Sequence, residues 1–216
     1  MLDEEIFGNL RKSILTYDAQ LALTSSKQGV EKGIDPVKLL DAMTAAIREV
    51  GDGFGRGKLW VPDMLAAVEA MQSGLPIIEE EIKKRGVRRE AFGVAVVGTV
   101  LGDIHSIGKT MVAAFLAAGG FEVHDLGVDI KAEQFVEAVK SYRPDILCLS
   151  ALLTVTAPQQ KTVIELLEKE HLRPPTRVLV GGGAITEEFA ESIGADGYEP
   201  TAPAGAKLAR RLVEER

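Results

Sequence analysis

Five short apolar runs, at about 93–98, 121–126, 145–149, 177–181 and 196–198, recur through the second part of this 216-residue chain and are separated by helical segments. In the first, Val94, Ala95, Val96 and Val97 are apolar at successive positions rather than alternate ones, which suits a strand covered on both faces. Strands alternating with helices in this way predict five βα units in a doubly wound parallel sheet with right-handed crossovers. Such sheets bind ligands outside the carboxyl ends of their strands. Function is therefore expected in the loops that follow the runs.

The loop after the first run, residues 98–108, carries Asp103, His105 and Ser106 between glycines. It ends in a helix: Ile107, Met111, Ala114, Phe115 and Ala118 fall at helical spacing, and Gly119-Gly120 supplies a stop. A histidine that binds a metal through one ring nitrogen generally gives its other N–H to a carboxylate, and Asp103 stands two residues away. Taken alone, the pair fits equally an aspartate capping a turn beside a solvated histidine. A phosphate-cradling loop is excluded by spacing, because Gly102 and Gly108 enclose five residues where G-x-x-x-x-G-K-[ST] needs four.

Residues 3–85 show helical periodicity without a convincing strand. Ile6, Leu10 and Ile14 form one stripe, and Asp18 is placed to cap a weakly patterned second helix. Asp35 and Pro36 suit the start of a third, lined by Leu39, Leu40, Met43, Ile47 and Val50 and expected to break at the glycine-rich stretch 51–57. A fourth should begin near Pro62, with Gly74 and Pro76 expected to bend or interrupt it. Four such helices predict a small bundle, and the polar segment 83–90 marks the boundary, giving a helical cap domain at 1–88 and an α/β domain at 89–216.

A net charge of -7 offers no basic surface for a nucleic-acid backbone, and no nucleic-acid partner is expected. The acidic beginning and the absence of an apolar run of about 18 residues point to a cytoplasmic protein with no membrane partner. The single Cys148 lies inside an apolar run and is expected to be a small core residue.

The run Gly102-Asp103-Ile104-His105-Ser106-Ile107-Gly108 matches the D-x-H-x-x-G signature of cobalamin-binding domains. Ser150-Ala151-Leu152 after the third run matches their S-x-L, and Gly181-Gly182-Gly183 after the fourth matches their G-G. The chain resembles the corrinoid proteins of methyltransferase systems over most of its length, including 50–65 and 194–198. The resemblance implies a flavodoxin-like strand order and a bound cobalamin with His105 as the lower axial ligand of cobalt. It also implies that Asp103 and Thr156 support His105, the threonine standing where the methionine synthase pattern has serine. Ser150, Leu152, Thr154, Gly181 to Gly183 and Gly197 would make room for the nucleotide-like tail, and Trp60 and Met64 would cover the upper face.

The function so implied is that of a methyl carrier, which accepts a methyl group on cobalt from a substrate-specific methyltransferase and delivers it to a second methyltransferase. It is not a catalyst by itself, and a reductive activator would be a further partner. Movement of the cap would make 83–90 a hinge. The alternative is a cobalamin-dependent sensor, for which no DNA-binding segment is evident. A flavin-binding relative is open on fold alone, but gives the D-x-H loop no task.

Overall fold

A computed structural model describes residues 2–86 and 91–215. The chain divides into two compact units, Met1–Glu90 and Ala91–Arg216. The expected boundary at 88/89, and the last four residues of the expected hinge, lie outside the described residues.

The first unit holds four helices, α1 (Leu2–Leu15), α2 (Ala19–Glu31), α3 (Pro36–Gly55) and α4 (Val61–Lys84). The caps are those the sequence predicts: Asp18 accepts the Leu21 N–H at 2.8 Å and Asp35 accepts the Val37 N–H at 3.0 Å, each satisfying an amide that the first turn leaves free. Ile6, Leu10 and Ile14 are buried, each contributing about 1.5–3 kcal/mol by leaving water. The pattern of α2 is weak because its buried face is Ala22, Ser25, Ser26 and Gly29, small residues that let neighbouring helices approach.

Helix α3 ends at Gly55, inside the stretch 51–57 expected to break it, but Gly51 and Gly53 lie within the helix on its buried face; a Cβ at Gly53 would stand 2.9 Å from Leu59 Cδ1, so packing favours glycine there. Helix α4 runs unbroken through Pro76. Proline forfeits one backbone hydrogen bond, but buried residues on both sides, from Met64 to Ile78, hold the helix. Gly74 packs against α2, where a Cβ would meet the Ala22 carbonyl oxygen at 2.9 Å.

In the second unit, β1 (Val94–Thr99), β2 (Glu122–Asp125), β3 (Ile146–Ser150), β4 (Arg177–Gly181) and β5 (Gly197–Tyr198) form one parallel sheet. Its order is β2-β1-β3-β4-β5, the flavodoxin-like arrangement. The linking helices are α5 (Ile107–Ala118), α6 (Ala132–Tyr142), α7 (Pro158–Lys169), α8 (Glu187–Ser192) and α9 (Ala202–Glu214). Strand residues alternate between two cores. Val96, Leu147, Leu149, Val178 and Val180 pack with Phe135, Val163, Ile164 and Leu167. Ala95, Val97, Ile146, Cys148 and Leu179 pack with Leu116, Phe121 and Ala209 on the other face. Burial of Cys148 pushes its thiol pKa up to about 12, which keeps it an inert core residue.

Among the described residues no helix is long and apolar enough to cross a membrane.

Candidate functional site

The strand order reverses direction between β1 and β3, and this switch point is where the D-x-H loop emerges. Register pairs Thr99 with Ser150 and Ser150 with Gly181, so the loops after β1, β3 and β4 leave the sheet side by side.

Asp103 ties two of these loops together. Its side chain is buried. Oδ1 accepts the His105 backbone N–H at 3.0 Å and lies 2.8 Å from His105 Nδ1. Oδ2 accepts the Leu152 N–H at 2.8 Å, the Leu153 N–H at 3.3 Å and the Thr156 hydroxyl at 2.7 Å. Burial pushes this carboxyl up, but the bonds from Thr156, from His105 and from Leu152 outweigh it and hold the group far below the usual carboxylate range. A carboxylate only accepts, so the proton between the two side chains sits on Nδ1. Nε2 then carries the lone pair. The ring is 46% exposed, and among the described residues Nε2 has no hydrogen-bond partner.

The loops that Asp103 ties together also carry exposed apolar side chains. Leu101 and Ile104 in the first loop, Ile107 at the start of α5, and Leu152, Leu153 and Val155 in the second loop are exposed, reaching 73% at Ile104 and 78% at Val155. Together these form most of the large exposed apolar side chains among the described residues, and an apolar patch around one convergent polar atom marks a ligand site. Among the described residues no three His, Cys, Asp or Glu side chains converge to enclose a metal ion. The site thus offers one nitrogen donor within an apolar rim, which fits a planar group that brings its remaining metal ligands with it.

The other expected residues fall into distinct roles. Ser106 precedes α5 at its cap position, exposed and without a side-chain capping bond. Gly108 is exposed in the first turn of α5, Thr154 is exposed in the loop after β3, and Ser150 closes β3. Of the three glycines, only Gly181 faces open space, with nothing within 4 Å of a Cβ placed there. Gly182 has φ of 126°, and a Cβ there would stand 1.9 Å from the Ala151 carbonyl oxygen; a Cβ at Gly183 would stand 2.8 Å from Leu152 Cδ1. Gly182 therefore lets two loops approach each other. Gly182→Ala is expected to destabilise the protein by about 2–4 kcal/mol in urea unfolding, through both the clash and the backbone strain.

The remaining candidates are placed differently. Gly197 opens β5, and a Cβ there would stand 2.7 Å from Leu208 Cδ2 and 2.9 Å from Leu179 Cδ2, so its smallness serves the core. Trp60 is not a core residue: it is 74% exposed, and its backbone N–H donates to Asp63 Oδ2 at 2.7 Å at the start of α4. Met64, one turn on, is buried at 1% exposure, so the two do not share a surface.

Sequence reasoning missed several supports. Buried Thr99 donates its hydroxyl to the His105 carbonyl at 3.1 Å. Buried Lys109 pairs with Asp125 and anchors the first turn of α5 to the end of β2. A lysine inside an apolar helix start was the visible signal. Gln160, also buried, donates to the carbonyls of Leu149 and Gly181 at 3.0 and 3.1 Å, joining the ends of β3 and β4.

A parallel sheet with a carboxylate-held imidazole at its switch point defines a ligand-binding protein of the doubly wound α/β class. Residues 93–206 match a family model described as B12 binding domain, and residues 6–79 match a second model of the same description. The chain belongs to the B12 binding domain family. It is 40% identical over 200 residues to trimethylamine corrinoid protein 2 of Methanosarcina mazei, covering 92% of each chain. It is 38% identical to dimethylamine corrinoid protein 1 of Methanosarcina acetivorans, over 99% of this chain and 100% of the relative. Among solved structures, the methanol:cobalamin methyltransferase complex MtaBC of Methanosarcina barkeri superposes with a TM-score of 0.83 at 27% identity, over 98% of this chain and 81% of that one.

Proposed function

We propose that this protein is the corrinoid-binding methyl carrier of a methyltransferase system, with His105 as the lower axial ligand. The carrying observation is the Asp103–His105–Thr156 arrangement, which leaves one unpartnered imidazole nitrogen within an apolar rim at the switch point. The bound corrinoid supplies a cobalt centre that accepts a methyl group and gives it up again. The chain supplies the rest. His105 offers Nε2 to the metal, and Asp103 keeps the proton on Nδ1, which fixes the tautomer and makes the imidazole a stronger donor. Thr156, Leu152 and Leu153 hold Asp103 in place throughout.

Leu101, Ile104, Ile107, Leu152, Leu153 and Val155 would cover the apolar flank of the macrocycle, and the open space at Gly181 would receive part of the nucleotide-like tail. Trp60, the exposed candidate of the helical unit, would contribute to the upper cover. The names of the relatives support a methylated amine as donor, selected by a substrate-specific methyltransferase. A second methyltransferase would remove the methyl group, and a reductive activator would restore the cofactor after oxidation.

The test is to incubate the purified chain with aquocobalamin, remove the excess and measure retained cobalt and the visible spectrum. Stoichiometric cobalt with a histidine-ligated spectrum is expected; loss of all cobalt on desalting contradicts the proposal. Gly181→Ala sharpens it. With nothing within 4 Å of the new methyl, stability should stay within about 0.5 kcal/mol of the parent while cobalamin affinity falls.

A further inference from the structure

The D-x-H loop is braced from a second side, by the segment that follows β2. Residues 126–130 run along the end of β1: the Leu126 N–H donates to the Val97 carbonyl at 2.9 Å, the Thr99 N–H to the Gly127 carbonyl at 3.0 Å and the Ile130 N–H to the Thr99 carbonyl at 3.0 Å. Val100 and Ile130 continue the pairing as an isolated parallel bridge. Within this segment Asp129 makes two bonds, both to the loop that carries His105. Its Oδ1 accepts the Gly102 N–H at 2.7 Å, and its own N–H donates to the Asp103 carbonyl at 3.0 Å.

The backbone at Asp129 is in the left-handed region, with φ of 58°, a conformation that aspartate and asparagine tolerate better than other side-chain-bearing residues. Its partner Gly102 is also left-handed, with φ of 79°. A glycine immediately before Asp103 gives the loop the greatest backbone freedom at the position where a small rotation would swing the carboxylate and the ring it holds. An outside clamp is what that position lacks by itself. Asp129 is exposed, so its substitution removes the side-chain bond to Gly102 rather than core packing, while its backbone N–H keeps the bond to Asp103.

We infer that Asp129 is a positioning residue for His105. It fixes the backbone of Gly102 and Asp103 and thereby the direction in which His105 presents Nε2. The inference rests on the reading of that nitrogen as the cobalt ligand. Asp129 makes no hydrogen bond to the ring; it acts through Asp103, which contacts His105 twice.

The test compares full-length Asp129→Asn, Asp129→Gly and Asp129→Ala with the parent. Asparagine keeps an acceptor oxygen and tolerates the backbone conformation; glycine keeps the conformation and drops the acceptor. Alanine drops the acceptor without adding glycine's freedom, so one folded variant lacking the carboxylate suffices. In the cofactor-free proteins, proton–nitrogen NMR reads the His105 tautomer and the Gly102 amide. The parent and Asp129→Asn should show the Nδ1–H tautomer, and the Gly or Ala variant a mixture with a displaced Gly102 amide. After loading with aquocobalamin, the ratio of histidine-ligated to unligated spectrum should fall about tenfold in that variant, the effect expected from losing one hydrogen bond to a charged group, and return with asparagine. A variant without the carboxylate that keeps the parent's tautomer and spectrum overturns the inference, whatever its melting temperature. A parent that retains no cobalt, yet shows the tautomer change on substitution, overturns the proposed function and leaves the clamp on His105 standing.

Discussion

His105→Ala is expected to abolish the histidine-ligated spectrum of the cobalamin-loaded protein and to weaken corrinoid retention by more than about 100-fold, while the fold survives. A lost metal ligand should cost more than the 10- to 100-fold typical of a lost supporting partner. The fold should survive because the ring is nearly half exposed and gives the interior only one bond, Nδ1–H to Asp103. Asp103 keeps four other donors in the variant: the backbone N–H groups of residues 105, 152 and 153, and the Thr156 hydroxyl. A stability cost of about 0.5–1.5 kcal/mol follows, read by urea unfolding. Separation of the two readouts is the point of the experiment, since ligand chemistry is lost and structure is not.

Asp103→Asn should show the opposite balance. The aspartate is buried and accepts from both the D-x-H loop and the β3–α7 loop, so it is a structural tie as well as the partner of the imidazole. An amide offers only one oxygen, and its NH₂ group points a donor at donors. The Leu152 and Leu153 N–H groups, or else the His105 backbone N–H and Nδ1–H, then face a donor instead of an acceptor, while the Thr156 hydroxyl keeps the Leu153 carbonyl at 3.0 Å. A loss on the order of 2–4 kcal/mol is expected at neutral pH. The pH dependence carries a sign. The folded-state pKa of Asp103 is held below its unfolded value, so the stabilisation is fully present above the unfolded carboxyl range, near pH 4. It is lost progressively as pH falls below that range towards the depressed folded value. The difference in unfolding free energy between parent and variant should therefore be smaller at pH 3 than at pH 7. An equal gap at both pH values would assign the loss to shape rather than charge.

Much of this was legible in the primary structure, for reasons that differ by element. The five strands were readable because a strand buried on both faces is apolar at every position, as in Val94 to Val97. Their spatial order came from the resemblance, and the register then places Thr99, Ser150 and Gly181 side by side. Asp103 and His105 were readable as a pair because two residues is the spacing at which a carboxylate reaches both the backbone and the ring of its neighbour.

What escaped the sequence depends on packing partners that local patterns do not name. Helix α2 buries serine and glycine, which periodicity does not count as apolar. Helices α3 and α4 continue through glycines and a proline because tertiary contacts outweigh local propensity. Gly197 serves Leu208 and Leu179, and Met64 serves the bundle interior, where motif reasoning assigned both to a ligand. Asp129 lies 27 residues from the glycine it clamps, and no local signal joins them.

The central claim is that the free nitrogen of one imidazole coordinates cobalt. Electron paramagnetic resonance of the reduced, paramagnetic cobalt form, prepared with ordinary and with isotopically labelled histidine, tests it most directly. The account predicts nitrogen splitting on the cobalt signal that changes pattern with the label and vanishes in His105→Ala. A signal without nitrogen splitting, or one that the label and the substitution leave unchanged, would contradict it.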